Sequence, residues 1–347
     1  MPRQSALAID PALPFPTEVL SLISNSANRS SLAACCTVTR AIHDIAAPIL
    51  YRFIVISSVR RRDSRFDADP KAFSSSGRVN PHTRKRRLLL HAEEVTVELH
   101  HEDDCPKPLK FPKLHTLRLE LGLAGYGPTL HYGGISEKQC VSVKALKPKR
   151  LVLRGASICN IQQYPAGFGK TLYTDLEELV FVCPNTTVRP NSCSSSFHGV
   201  EKLKGVVWIF LTRDPKEIWR FGTETVLGRH ASHGFMTELA SFGSVLCDLP
   251  LIPIIIVNGS AVEQGKVFQS TSDAEKQFAT TVYSSLQWGF ERDDRSPPSK
   301  PSDLTKRIDE KFALIKFLSM EQYISDHQWQ GVLEEQEIQG WIGGQRK

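Results

Sequence analysis

The chain has 347 residues, 41% hydrophobic and 23% charged, with a formal net charge of +6. These values are ordinary for a soluble globular protein of about two domains of ~150 residues each, with a substantial core. The charge is too mild to point to a nucleic-acid partner. The most apolar run, Leu249 to Val257, is broken by Pro250 and Pro253 and is far shorter than the ~20 residues of a membrane span.

No apolar run of signal-peptide length follows Met1 to Ser5, so a cytoplasmic or nuclear setting is expected. The eight cysteines then read as reduced thiols. From the N-terminus, turn residues from Asp10 lead to Pro16, and Thr17 is placed to cap a helix. Val19, Leu20, Leu22 and Ile23 recur at helical spacing, with Glu18 at the positive helix end. After a break at Ser24 to Asn28, Ser30 or Ser31 caps a second helix carrying Leu32, Cys35, Cys36 and Val38. Ile42, Ile45, Ile49 and Leu50 continue the pattern, and Pro48 is expected to force a bend or a new start. Three helices in about forty residues make a bundle of marginal stability on its own.

In residue order this stretch resembles the F-box, and fungal members most of all. Three ordered pieces carry the resemblance: Phe15-Pro16-Thr17-Glu18-Val19-Leu20 with Ile23, Ser31 to Arg40, and Ala47-Pro48-Ile49-Leu50-Tyr51-Arg52-Phe53. Phe15 stands where leucine usually precedes the proline, and Ala41-Ile42 where a tryptophan is common. The resemblance implies an F-box-like helical domain over 11–53 that docks on the Skp-family adaptor of a cullin–RING ubiquitin ligase. The rest of the chain would then hold a protein substrate. Such docking is helix-in-groove recognition, driven by a few buried aliphatic anchors. The adaptor-binding residues it implies are Phe15, Pro16, Glu18, Val19, Leu20, Ile23, Leu32, Val38 and Leu50.

Residues 54–87 read as a flexible basic insertion, with Arg60-Arg61-Arg62 and Arg84-Lys85-Arg86-Arg87 but almost no large aliphatics. From Leu88 onward short β-like runs recur: Leu88–Leu90, Val95–Leu99, Leu114–Leu121, Lys149–Arg154, Leu176–Cys183, Val206–Phe210, Ile254–Asn258 and Ala313–Leu318. Helical spacing appears between them, at Ser136–Leu146, Pro215–Leu227, Asp273–Trp288 and Met320–Asp326. The runs at Leu114 and Leu176 fit the Leu-x-x-Leu-x-Leu core of leucine-rich repeats. The expected fold is therefore α+β: the small three-helix F-box followed, over 88–345, by an irregular leucine-rich-repeat-like α/β solenoid that binds substrate. A compact three-layer α/β domain with a parallel sheet is the competing reading, and uneven spacing of the runs favours it. In the solenoid, His115, Arg118 and Glu120 of one strand and Glu177, Glu178 and Val180 of another would face outward to a target. The tail, with Trp329 and Trp341 around Glu334-Glu335-Gln336-Glu337, reads as a cap on the end of the stack.

No enzymatic machinery is expected. Gly169-Lys170-Thr171 looks like the end of a phosphate-binding loop, but the glycine that motif needs is replaced by Tyr164, so a nucleotide-binding enzyme is only a distant alternative. His100-His101-Glu102-Asp103-Asp104-Cys105 has metal-ligand types, yet neighbours on a strand point to opposite faces. No metal and no cofactor are expected. A second reading of the whole is an F-box-bearing scaffold without a role in ubiquitination.

Overall fold

A computed structural model describes residues 16–56, 88–100, 110–124, 127–131, 140, 143, 145–155, 170–183, 200–211, 243, 245–259, 271–291, 301–327 and 329–342. Three helices come first: α1 (Thr17–Ser26), α2 (Arg29–Cys35) and α3 (Arg40–Leu50). Their caps lie one to three residues from the expected ones. Pro16 is the N-cap of α1, its carbonyl accepting from the Val19 and Leu20 amides at 3.1 Å, and Thr17 is the first helical residue. Asn28 caps α2 by accepting from the Ser31 amide at 2.9 Å, and Thr39 caps α3 by accepting from the Ile42 amide at 3.2 Å. Pro48 sits inside α3 without ending it. The carbonyl its missing amide would have served belongs to Asp44, which is exposed, so water can satisfy it.

Tyr51 and Arg52 pass straight into β1 (Phe53–Ile56). Seven further strands extend the sheet: β2 (Glu94–Val97), β3 (Thr116–Glu120), β6 (Arg150–Arg154), β7 (Glu178–Cys183), β8 (Gly205–Phe210), β9 (Ile254–Val257) and β10 (Ile315–Leu318). Between β3 and β6, β4 (Gly122–Ala124) and β5 (Gly127–Thr129) form a separate antiparallel pair. The main sheet has eight strands, all parallel, side by side in chain order.

The expected α+β fold, a small three-helix domain followed by an irregular repeat solenoid, is corrected by this sheet. Helices and strands belong to one α/β arrangement, and the sheet's first strand grows directly out of α3. Two amides of the next strand segment, Glu93 and Glu94, donate back to the Arg52 carbonyl at 3.0 Å. Buried parallel strands show as short apolar runs whether helices cover one face or both, so the sequence could not settle the layers.

The register explains the core. One row across the sheet reads Ile54, Val95, Leu117, Leu151, Leu179, Val206, Ile254 and Ile315, one residue per strand. The row two residues on reads Ile56, Val97, Leu119, Leu153, Phe181, Trp208, Ile256 and Phe317. Both point to the same face. There they pack against Phe278, Val282, Leu286 and Phe290 of α4 (Thr271–Glu291) and Ile308 of α5 (Pro301–Phe312). Phe181 stacks on Trp208 with ring centres 4.5 Å apart. The same turn leads into several strands: Ala92, Leu114, Leu146, Leu176 and Leu203 each donate an amide to the carbonyl three residues back. Their side chains are buried in the same core.

The intervening row faces the other way: Val55, Thr96, Arg118, Val152, Val180, Val207, Ile255 and Lys316. It turns apolar at β6, and there the C-terminal segment covers it. Met320 and Tyr323 of α6 (Met320–Asp326), Val332 and Leu333 of the turn that follows, and Ile338 of α7 (Glu335–Ile342) pack on Val152, Val180, Val182, Val207 and Ile209. α6 opens with a full capping box between Ser319 and Gln322. The tail thus covers a face of the sheet instead of capping the end of a stack.

Leu88 and Leu89 are helical instead of β, and α5, beginning at Pro301, is a helix outside the expected segments. Leu304, Ile308 and Phe312, four apart, were its signal. The proposed helices at Pro215–Leu227 and most of Ser136–Leu146 lie outside the described residues, as does 57–87 of the basic insertion; 54–56 is strand.

Lys311 of α5 is buried, 1% exposed, and its ammonium donates to the Leu249 and Pro250 carbonyls at 2.8 and 2.7 Å. Burial lowers its pKa from 10.5 to about 8, partly offset by Cys247. Between those two values the unfolded chain holds the extra proton, so this group lets stability rise with pH through that window. Urea unfolding at pH 7.5 and 9.5 should show wild type gaining about 2 kcal/mol relative to Lys311→Met over that interval. An equal pH response in both proteins would contradict it.

Candidate docking interface

α1 supplies the most unusual surface of the described chain. Its apolar residues at helical spacing are not all consumed by the bundle. Val19 is 37% exposed, Leu22 68% and Ile23 55%. These three are spaced i, i+3, i+4 and so form one stripe on the helix. Val38, just past α2, is 64% exposed, and Phe53, the first residue of β1, is 45% exposed. Of the seven large hydrophobics exposed among the described residues, these five lie within residues 19–53; the others are Leu90 and Leu251.

The remaining residues implied by the resemblance are placed as follows. Pro16 and Glu18 are exposed at the start of α1, with Glu18 in its first turn, where a carboxylate favours the helix dipole. Leu20 and Leu50 are half-buried. Leu32 is buried, its surface already spent inside the bundle. Phe15 lies outside the described residues. Leu22 was not among the nine residues, although its spacing from Val19 was the signal that finds it.

The base of the bundle is fixed to the sheet. Arg29 donates through Nη2 to the Phe53 carbonyl, and Arg52 pairs with Glu93 at 2.8 Å while its guanidinium lies 5.5 Å from the Phe53 ring centre. Stripe and sheet edge are thereby held to one frame, which limits the ordering cost of binding.

The strand face expected to hold a target is placed differently. Val180 is fully buried and Arg118 is 9% exposed. Arg118 pairs with Glu120 at 2.5 Å and with Glu334 of the tail at 2.7 Å. Arg154 pairs with Glu120 at 3.3 Å and also with Glu337. A strand pattern shows which residues alternate, but not that a distant helix will cover them.

His115, Glu177 and Glu178 instead line an open hollow of about 320 Å³ at the strand starts, with Lys149, Arg150, Lys204 and Gly205. Its charges are paired: Lys204 with Glu177 at 2.6 Å, Arg150 with Glu178 at 2.7 Å, and nearby Lys202 with Asp175 at 2.6 Å. The hydrogen bond from Lys202 holds Asp175 below the usual carboxylate range, and that from Lys204 does the same for Glu177. Paired, solvated charges of this kind are a poor base or nucleophile. Because strand order never reverses, the described sheet also has no switch point, the crevice where open α/β sheets bind nucleotides. Lys170 and Thr171 belong to a single 3₁₀ turn, Lys170–Tyr173.

No family model matches the chain, and a search of curated proteins finds no match. Among the described residues, no helix is long and apolar enough to cross a membrane.

Proposed function

We propose that the chain is the substrate-recognition subunit of a Skp–cullin–F-box type ubiquitin ligase, docking the Skp-family adaptor through its N-terminal helices and carrying a protein target on the α/β body. One observation supports this above the rest. The apolar stripe of Val19, Leu22 and Ile23, with Val38 past the end of α2, stays exposed inside the stretch whose residue order resembles the F-box. Pro16, Glu18, Leu20 and Leu50 belong to the same surface in this reading, and Phe15 precedes it. Leu32 serves from inside by holding α2 in place.

The chain contributes no chemistry of its own in this reading, and a cytoplasmic or nuclear setting suits it. Co-precipitation from cells under proteasome inhibition tests it: adaptor and cullin should come down together with a target. Loss of the chain should raise that target's abundance. Adaptor binding with unchanged partner turnover would replace the receptor by a scaffold, and no adaptor at all would end both.

A further inference from the structure

Away from the docking stripe, the fold gathers two histidines and a cysteine that the sequence keeps apart. His100 follows β2 and donates its backbone amide to the Leu130 carbonyl at 2.8 Å. It also forms a parallel bridge with His131, which follows β5. Cys140 sits in the approach to β6, its carbonyl accepting from the Val143 amide at 3.3 Å. All three are buried, at 2%, 3% and 4% exposure, and one ligand atom from each lies within 4.8 Å of the others. We propose that His100, His131 and Cys140 form a buried binding site for a divalent transition-metal ion, zinc foremost.

The hydrogen bonds around His100 prepare it for this role. Its Nδ1 lies 2.8 Å from the Glu98 carbonyl, which can only accept, so Nδ1 carries the proton. Nε2 is then the lone-pair nitrogen, and it faces the Cys140 sulfur at 3.5 Å. A carbonyl that fixes the tautomer of a ligating histidine is the usual outer support of zinc sites. In tetrahedral zinc, bonds of about 2.3 Å to sulfur and about 2.0 Å to nitrogen set those two donors about 3.5 Å apart. His100 and Cys140 already have that separation. The farthest pair, within 4.8 Å, needs to close by up to about 1.5 Å.

The His100 and His131 rings meet at 83° with centres 4.9 Å apart, an edge-on arrangement that lets both present a nitrogen to one point. Two imidazoles and a thiolate select zinc, cobalt or copper over magnesium or calcium, which take oxygen ligands. Binding forms the sulfur–metal bond and releases the thiol proton to solvent, while water takes the fourth position. The ion would tie the ends of β2 and β5 to the approach of β6, a structural role independent of adaptor docking.

Cobalt titration of the chelator-treated full chain reads this directly. One equivalent should bring up a thiolate-to-cobalt charge-transfer band that zinc then abolishes. Cys140→Ala should lose the band, and Cys247→Ala should keep it. Site-mapped alkylation of the wild-type chain needs no variant: zinc should slow labelling of Cys140 several-fold and leave Cys247 unchanged. A folded wild-type chain with no thiolate band, or with Cys140 labelling indifferent to zinc, would overturn the proposal.

Discussion

Replacing Leu22 and Ile23 together by glutamine should weaken adaptor binding by about two orders of magnitude, with little change in the chain's own stability. Both side chains are more than half exposed, so neither contributes much to the fold. Exposed substitutions of this kind stay within about 0.5 kcal/mol, and glutamine is a good helix former that adds no charge near the end of α1. Burying an aliphatic side chain in a groove contributes about 1.5–3 kcal/mol, so losing two removes at least about 3 kcal/mol, which is a hundredfold or more. Leu251→Gln is the control, being 66% exposed but far along the chain. It should leave binding unchanged. Calorimetric titration of adaptor into each variant measures all three. Equal affinities for wild type and the double variant would remove α1 from the interface.

Ending the chain after Leu318 should have the second large effect, and on solubility. The cut removes α6 and α7, and with them Met320, Tyr323, Val332, Leu333 and Ile338 from the second core cluster. At about 1.5–3 kcal/mol for each, the loss is about 8–15 kcal/mol, the size of a whole domain's stability. It leaves Val152, Val180, Val182, Val207 and Ile209 facing water and Arg118 and Arg154 without Glu334 and Glu337. The truncated chain should aggregate and bind a hydrophobic dye. Leu333→Ala, a milder probe, should lower stability by about 2–5 kcal/mol while the chain stays folded. A soluble, folded truncated chain would show that the sheet face tolerates exposure, as a target-binding strand surface would.

Much of the body was legible because a strand buried on both faces reads as an apolar run. Seven expected runs contain or overlap a strand of the sheet, and Met320–Asp326 is helical with the limits read from the sequence. What failed was long-range. Val180 alternates correctly within its strand, but only the fold shows that Leu333 and its neighbours cover it. The same limit hides the cluster of His100, His131 and Cys140, since in sequence His100 stands beside His101 and Cys105 while its fold neighbours are His131 and Cys140. In α1 the periodicity was visible and the apportioning was not. Leu32 turned inward and Leu22 outward, which depends on where α3 lies against α1 and α2.

The most direct measurement is hydrogen exchange on the wild-type chain with and without purified Skp-family adaptor. A complex should form with protection concentrated in residues 16–38, covering α1 and α2 through Val38, and the eight-stranded sheet unchanged. No complex at adaptor concentrations well above micromolar, or protection on the sheet with α1 unaffected, would contradict it.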